Sequence, residues 1–315
     1  MLKYIFKRII SMCITLLIII TVVFFIIRLV PGDPLSSMAR NLPEQVKANF
    51  YAKYGLDQPL IVQYFNYMKN LLLHGDMGVS LVFIGRNVKD MIMEAAPISA
   101  KINIRALIFG VTTGMILGVV AAYKRNRWPD YIIMFIAILG ISIPSFVLAS
   151  CFQWLFTVKY RLLPTVGWTE GSGQFKYSIL PMLTLCGGSI AIYARYLRAS
   201  VLDVLNQDYI LTAKAKGVTG IALAWKHVIR NAILPSITIL GPQIAGVFVG
   251  SFVVESIFGI PGFGQVYVSA INNRDFTMIL GQTIMLNTFY ILSLLIVDIL
   301  YGFIDPRIRV FKGKK

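Results

Sequence analysis

The chain has 315 residues, 57% of them hydrophobic and only 14% charged, with a mean hydropathy of +0.72. Soluble domains carry about 25% charged residues, so the apolar excess must face lipid, which excludes a water-soluble domain. The net charge of +16 would suggest nucleic acid in a soluble protein, but the placement of the charges, described below, records membrane topology instead.

Six stretches without charge are long enough to cross the roughly 30 Å hydrocarbon layer as helices. They are 9–27, 106–123, 131–158, 177–194, 232–254 and 276–297. The expected fold is an all-α integral membrane protein with six transmembrane helices. The first stretch follows Lys3, Lys7 and Arg8, and no small-residue cleavage site follows it, so it reads as a retained anchor and not a signal peptide. Arg28 and a Pro31-Gly32-Asp33-Pro34 turn come next. Residues 1–30 therefore form a cytoplasmic start plus the first span, 31–100 an extracytoplasmic subdomain, and 101–315 the transmembrane core. Within the subdomain, a short helix is expected over 43–54, opened by Pro43 and Glu44 and stopped by Gly55. A second apolar-periodic run covers 58–73, after which His74-Gly75-Asp76-Met77-Gly78 breaks the pattern. His74 has no second ligand nearby and reads as a polar turn residue. Cys13, Cys151 and Cys186 all lie inside spans without metal-ligand spacing, so they read as small packing residues.

With the N-terminus inside, the cytoplasmic segments carry seventeen of the thirty Lys and Arg, against four in the short loops opposite. The remaining nine lie in the long segment after the first span, and segments of that size translocate largely regardless of charge. Both termini are thus expected in the cytoplasm, with the basic surplus against anionic lipid. Pro144 interrupts the third span, and Pro181, Gly187, Gly188, Pro235, Gly241, Pro242, Gly246 and Gly250 mark the fourth and fifth. These read as packing and bending features, since small residues allow helices to approach closely in lipid. There is no internal repeat of the kind many secondary carriers show.

Catalysis needs a nucleophile, base and acid that converge, and a metal site needs clustered His, Cys, Asp or Glu. The sequence offers neither, and it has no Gly-rich phosphate loop followed by Lys and Ser or Thr, so no enzymatic activity or metal is expected of it. Charges in or beside spans are costly and are functional candidates by default. Arg28 and Asp298 sit at span ends where they can snorkel. Glu255 follows 23 uncharged residues and either lines an outer gate of a path or sits at the interface.

The segment between the fourth and fifth spans, 195–235, is the most informative. Leu197, Val201, Leu205 and Tyr209 recur every four residues, as do Thr212 and Lys216, which is helical spacing. Ala213, Ala215 and Gly217 are small and let another backbone approach. The segment is either a helix that seats in a partner's groove or a solvated basic loop.

Particular residues narrow the choice. Asp208-Tyr209, Thr212-Ala213, Ala215-Lys216-Gly217, His227, Arg230-Asn231-Ala232 and Leu234-Pro235 resemble the coupling loop of permease subunits of bacterial ABC importers, specifically the dipeptide, oligopeptide and nickel group. Leu211 stands where the wider importer pattern has glutamate, and the interval from Gly217 to Pro235 is longer than in sugar permeases; both are habits of the peptide group. The resemblance extends along the chain through Pro31-Gly32-Asp33-Pro34, Gly55-Leu56-Asp57-Gln58-Pro59-Leu60, Gly75-Asp76-Met77-Gly78-Val79-Ser80, Ser142-Ile143-Pro144-Ser145-Phe146, Glu255 to Gly264, Arg274-Asp275 and Asp305-Pro306-Arg307-Ile308-Arg309. Its start and long outer segment resemble the B-type permease of the pair.

The resemblance implies a heterodimer with a second permease, two cytoplasmic ATPase subunits that bind ATP and Mg, and an external binding protein that delivers substrate. It implies no cofactor in this chain and no nucleic-acid partner. It assigns ATPase coupling to Asp208, Tyr209, Thr212, Ala213, Ala215, Lys216 and Gly217, and makes His227 a loop residue. Oligopeptides are the first expected substrate, dipeptides the second, and nickel chelates a third. A lone ion-driven carrier would need titratable groups near mid-membrane, which the six uncharged cores lack; a non-transporting anchor would bind a partner but offer no polar path.

Overall fold

The computed structural model describes residues 2–29, 44–53, 55–83 and 85–304. The Pro31-Gly32-Asp33-Pro34 turn, Pro43, the closing Asp305 to Arg309 motif and the side chain of Asp298 lie outside the described residues. Among the described residues the chain is helical, with a single isolated bridge between Val79 and Asn87. In chain order the helices are α1 (Leu2–Leu29), α2 (Glu44–Lys53), α3 (Leu60–His74), α4 (Val88–Tyr123), α5 (Trp128–Ser142), α6 (Ser145–Gln153), α7 (Gln174–Leu205) and α8 (Asp208–Ala215). After these come α9 (Gly220–Leu223), α10 (Arg230–Ala232), α11 (Leu234–Ala245), α12 (Phe252–Phe258), α13 (Phe263–Asn272) and α14 (Phe276–Ile304). Among the described residues, four helices are long and apolar enough to cross a membrane unbroken: Phe6–Leu29, Val88–Tyr123, Gly171–Leu205 and Phe276–Val297. Two further helix pairs pass the same test if each bent pair is one span.

The bends fall where proline interrupts the backbone ladder. The expected stretch 131–158 is two helices turned by 104° across Ile143 and Pro144. Proline lacks the N–H that would continue the ladder and drives its predecessor out of helical geometry, and Ile143 accordingly sits at φ −84, ψ 123. The second pair bends by 50° just before Leu234 and Pro235. The expected stretch 232–254 is also divided. Helix α11 tightens into a 3₁₀ turn over Gly246–Val249, Gly250 adopts φ +71, and Phe252 begins α12. A count of uncharged residues cannot see either interruption.

The chain forms two compact units. One comprises Met1–Ser99, Phe248–Phe252 and Pro261–Leu295. Its core joins Ile20, Phe24 and Ile27 of α1 to Met68 of α3 and to Leu280 and Ile284 of α14, with the Tyr64 and Tyr67 rings against Phe24. Arg28, expected to snorkel, is instead held in this unit: its Nε donates to Gln63 Oε1 at 2.8 Å and its guanidinium lies 4.0 Å from the Phe24 ring centre. The expected helix stops are present, with Gly55 at φ +63 and Gly75 at φ +61. Beyond Gly75, two separate sequence motifs prove to be one knot. Asp275 is 1% exposed and accepts hydrogen bonds from the Ser80 hydroxyl, from Leu81 N–H at 3.1 Å and from Met278 N–H at 3.1 Å. Asp275 thus caps the start of α14 while fastening the loop after α3.

The other unit comprises Ala100–Val247, Val253–Ile260 and Ile296–Lys315. Its central feature is the approach of α4 to α7. Ala106, Gly110, Gly114, Gly118 and Ala122 recur every four residues of α4, forming one small-residue face. A Cβ on Gly110 would lie 3.0 Å from the Cys186 carbonyl oxygen; on Gly114, 2.7 Å from that of Ile190; on Gly118, 2.7 Å from that of Ala194. The backbones therefore meet closely, with only the Cβ atoms of Cys186, Ser189, Tyr193 and Leu197 beside the carbonyls in the seam, the contact that favours helix association in lipid. Gly140 of α5 makes the same kind of contact, with its would-be Cβ 2.9 Å from the Gly187 carbonyl.

Candidate functional site

Two places in the second unit carry functional geometry: the α8 region and a cleft among the apolar helices. Helix α7 runs through Arg195, Arg198 and Leu205 and ends at Asn206, so the expected four-residue repeat from Leu197 to Tyr209 is shared between two helices. Asp208 stands in the first turn of α8 and Lys214 in its last, each at the end its charge favours. Ile210 and Ala213 face inward, joining Leu197, Val201, Leu223 and Val228 in one apolar cluster. Ala213, expected to present backbone to a partner, is thereby covered by its own chain, whereas Ala215, Lys216 and Gly217 are exposed.

Helix α8 ends in a Schellman turn. Val218 N–H bonds back to the Ala213 carbonyl at 3.1 Å and Gly217 N–H to that of Lys214 at 2.9 Å, with Gly217 at φ +81. Gly217 is needed for that conformation, and a Cβ there would meet nothing within 4 Å. The outer face shows large apolar groups: Tyr209, Leu211, Ile221 and Trp225 are 42%, 60%, 79% and 66% exposed. Asn231 Nδ2 donates to the Tyr209 hydroxyl at 3.1 Å and to the His227 carbonyl at 2.9 Å, which ties the Asp-Tyr motif to Arg-Asn-Ala. His227 is not in a loop, as expected, but on the π-helical turn Ala224–Ile229 between α9 and α10, because the apolar run after Gly220 folds onto the cluster under α8.

An ion pair between a half-buried arginine and a buried carboxylate, with no local sign in the sequence, braces this region. Arg198 of α7 donates from Nε and Nη2 to the two Asp130 oxygens at 2.6 and 2.7 Å, and Asp130 also accepts Asn126 N–H at 3.0 Å. Asp130 is 2% exposed. One carboxylate therefore holds the start of α5, the turn at Asn126 and the end of α7 together through a bidentate pair.

The cleft has a volume of about 230 Å³, lined by Leu107, Leu185, Val247 and the polar Asn103, Ser189 and Gln243, with no ionisable side chain among its lining residues. At about 30 Å³ per water molecule it is roomy enough to be wet. The Ser189 hydroxyl donates to Gln243 Oε1 at 3.2 Å, and Asn103 Nδ2 donates to the Val247 carbonyl at 2.8 Å. Asn103 thus satisfies a carbonyl of the 3₁₀ turn Gly246–Val249, and irregular backbone at membrane depth is tolerated only where such partners or a cavity exist. Asn103, Ser189 and Gln243 are uncharged polar side chains within or beside apolar runs, so the cost of burying charge in lipid does not mark them. Glu255, the charge that was singled out, lies on α12 and is 2% exposed, away from the cleft lining.

Helices long and apolar enough to cross a membrane, a polar cleft in the second unit and an exposed apolar face at α8 are the features of a multi-pass membrane transport component. Residues 114–310 match the family described as "Binding-protein-dependent transport system inner membrane component", and residues 1–98 match its N-terminal companion, "Binding-prot-dependent transport system membrane comp, N-term". The chain belongs to this family of permeases. It is 44% identical to the oligopeptide transport system permease OppB of Haemophilus influenzae over 310 residues, covering 98% of this chain and 100% of the relative. It is 41% identical to the dipeptide transport system permease DppB of Bacillus subtilis over 312 residues, 99% of each chain. With DppB of Lactococcus lactis the identity is 36% over 310 residues, 98% of this chain and 100% of the relative.

Proposed function

We propose that this chain forms half of the translocation path of an ATP-driven peptide importer and passes the motion of ATPase subunits into its spans. The observation that carries the reading is the α8 face, where Tyr209, Leu211, Ile221 and Trp225 stand exposed beside Lys214, Ala215, Lys216 and Gly217. Large apolar groups rimmed by charge are the mark of a protein interface, and near-full-length likeness to peptide permeases supports an ATPase subunit as the partner. In this reading the chain crosses the membrane six times with both termini in the cytoplasm. Residues 31–100 lie outside, and 101–315 make up the permease core with its coupling loop at 195–235. A second, similar permease completes the path, two ATPases bind ATP and Mg, and an external binding protein delivers the peptide.

Closure of the ATPase pair on ATP would draw α8 with it through Asp208, Tyr209, Thr212 and the turn at Gly217. The buried Ile210 and Ala213 and the Arg198–Asp130 pair would carry that displacement into α7 and α5, biasing the spans between inward-facing and outward-facing states. Glu255 would act as a gate only in a state that uncovers it. Oligopeptides are the substrate of first choice. Dipeptides are a second reading favoured by the 41% identity to a dipeptide permease over 99% of the chain.

Reconstitution tests this reading. The chain with its partner permease, ATPases and binding protein in proteoliposomes should take up labelled peptide only with ATP. A Cys at Ala215 should cross-link to the ATPase, and transport by the purified chain alone without nucleotide would overturn the proposal.

A further inference from the structure

We infer that the cleft at Asn103, Ser189 and Gln243 reads the peptide bond of the cargo, through one free hydrogen-bond donor and one free acceptor on neutral amides. The inference rests on the peptide-permease reading and assigns the contact within it. Asn103 spends its Nδ2 on the Val247 carbonyl, which leaves Oδ1 as an acceptor. Gln243 Oε1 takes the Ser189 hydroxyl, which leaves its Nε2 hydrogens as donors. Among the described residues neither group has another partner, and both are half-buried on the wall of a cavity of about 230 Å³. A peptide unit carries the complement, an N–H for Asn103 Oδ1 and a carbonyl for Gln243 Nε2.

The rest of the lining sharpens the specificity. With no ionisable group on its walls, the cleft cannot attract one side-chain charge and repel the other. Leu107, Leu185 and Val247 offer only non-directional contact. What remains to be recognised is the feature every residue of a peptide shares, so the cleft should pass peptides of varied side chains and resist solutes without an amide backbone. Leaving a polar wall unpaired costs more than the paired bond contributes, which makes the amide-free solute the disfavoured cargo.

The test uses the complete transporter in proteoliposomes, with a tetrapeptide and its depsipeptide analogue, in which one central amide becomes an ester and so loses its N–H and weakens its carbonyl. Each cargo is supplied at saturating, preloaded binding protein. Wild type should move the peptide about fivefold faster than the depsipeptide, the size of one net hydrogen bond. In Asn103→Met, which removes the acceptor for that N–H, the ratio should fall to about two; in Gln243→Leu, which removes only the donor to the carbonyl, peptide uptake should drop about fivefold with the ratio close to its wild-type value, and binding-protein-stimulated ATPase is retained in both. Because the same binding protein serves both transporters, its own preference cancels in the ratio of ratios. An unchanged ratio in Asn103→Met, or intact peptide uptake in Gln243→Leu, overturns the inference, the outcome expected if the second permease simply covered the cleft. Absence of ATP-dependent peptide uptake in wild type overturns the underlying function instead. If both variants fail to assemble, a Cys at Leu185 on an otherwise Cys-free chain should react with a water-soluble thiol reagent more slowly in the presence of peptide; no reaction, or no slowing, overturns the inference.

Discussion

Replacing Arg198 by Ala isolates the brace beneath α8. The substitution removes two charge-assisted hydrogen bonds of 2.6 and 2.7 Å and leaves Asp130, 2% exposed, with only the Asn126 N–H at 3.0 Å. A buried carboxylate stripped of its partner costs about 3–5 kcal/mol, most of it the desolvation of the remaining charge. The Arg198→Ala variant in detergent should therefore melt roughly 10 °C lower, at about 2–4 °C per kcal/mol for a domain of this size. Asp130→Ala should cost less, because Arg198 keeps a side chain 25% exposed and can turn toward water. The Asp130→Leu, Arg198→Leu double variant should recover most of the loss, since an apolar pair of similar volume is often neutral. Thermal unfolding of all variants, followed by size-exclusion chromatography of the heated samples, gives the coupling energy from a double-mutant cycle. Additive single effects, or an Arg198→Ala melting point equal to wild type, would refute the argument that this pair joins α5 to α7.

Four other changes test separate features. Gly114→Leu puts a Cβ 2.7 Å from the Ile190 carbonyl and 2.9 Å from Tyr193 Cβ, so it should cost about 2–3 kcal/mol by overpacking, read as a lower melting temperature. Gly217→Asp should leave ATP hydrolysis running while abolishing peptide uptake, and normal uptake in proteoliposomes would count against the docking face. Gly217→Ala places a side chain at φ +81 and should lower stability by about 1–2 kcal/mol, the cost of the left-handed region, with coupling largely kept. Asp275→Ala removes the cap of α14 and the anchor of Ser80 and Leu81; amide hydrogen exchange should accelerate over 76–83 and in the first turn of α14.

The sequence made most of the helices legible, because long charge-free runs, Gly stops at Gly55 and Gly75, and a basic start are local signals. It also marked α8, since Asp208 to Gly217 carries an acidic first turn and a glycine stop. Breaks inside the third and fifth stretches were harder: Pro144 and Pro235 were visible, but composition does not say whether a proline bends a span or merely packs. The Arg198–Asp130 pair joins residues 68 apart in the chain, and nothing local distinguishes either charge from its solvated neighbours. The spacing of Gly110, Gly114 and Gly118 was readable at every fourth position, yet its meaning depends on which helix those glycines meet. For Asn103, Ser189 and Gln243 the obstacle was the criterion, since cost in lipid directs attention to charges while neutral amides pass unremarked.

The bare contact of α4 and α5 on α7 has a mechanical consequence. Side chains between helices act as compliant spacers that change rotamer and take up small shifts, whereas carbonyl oxygens lying against glycine Cα atoms have no such slack. Helix α7 should therefore shift with its two neighbours as one stiff body, and only two residues, Asn206 and Gln207, separate α7 from α8. A push of an ångström or two applied at the α8 end should arrive at Ser189, halfway along the rod, with little loss.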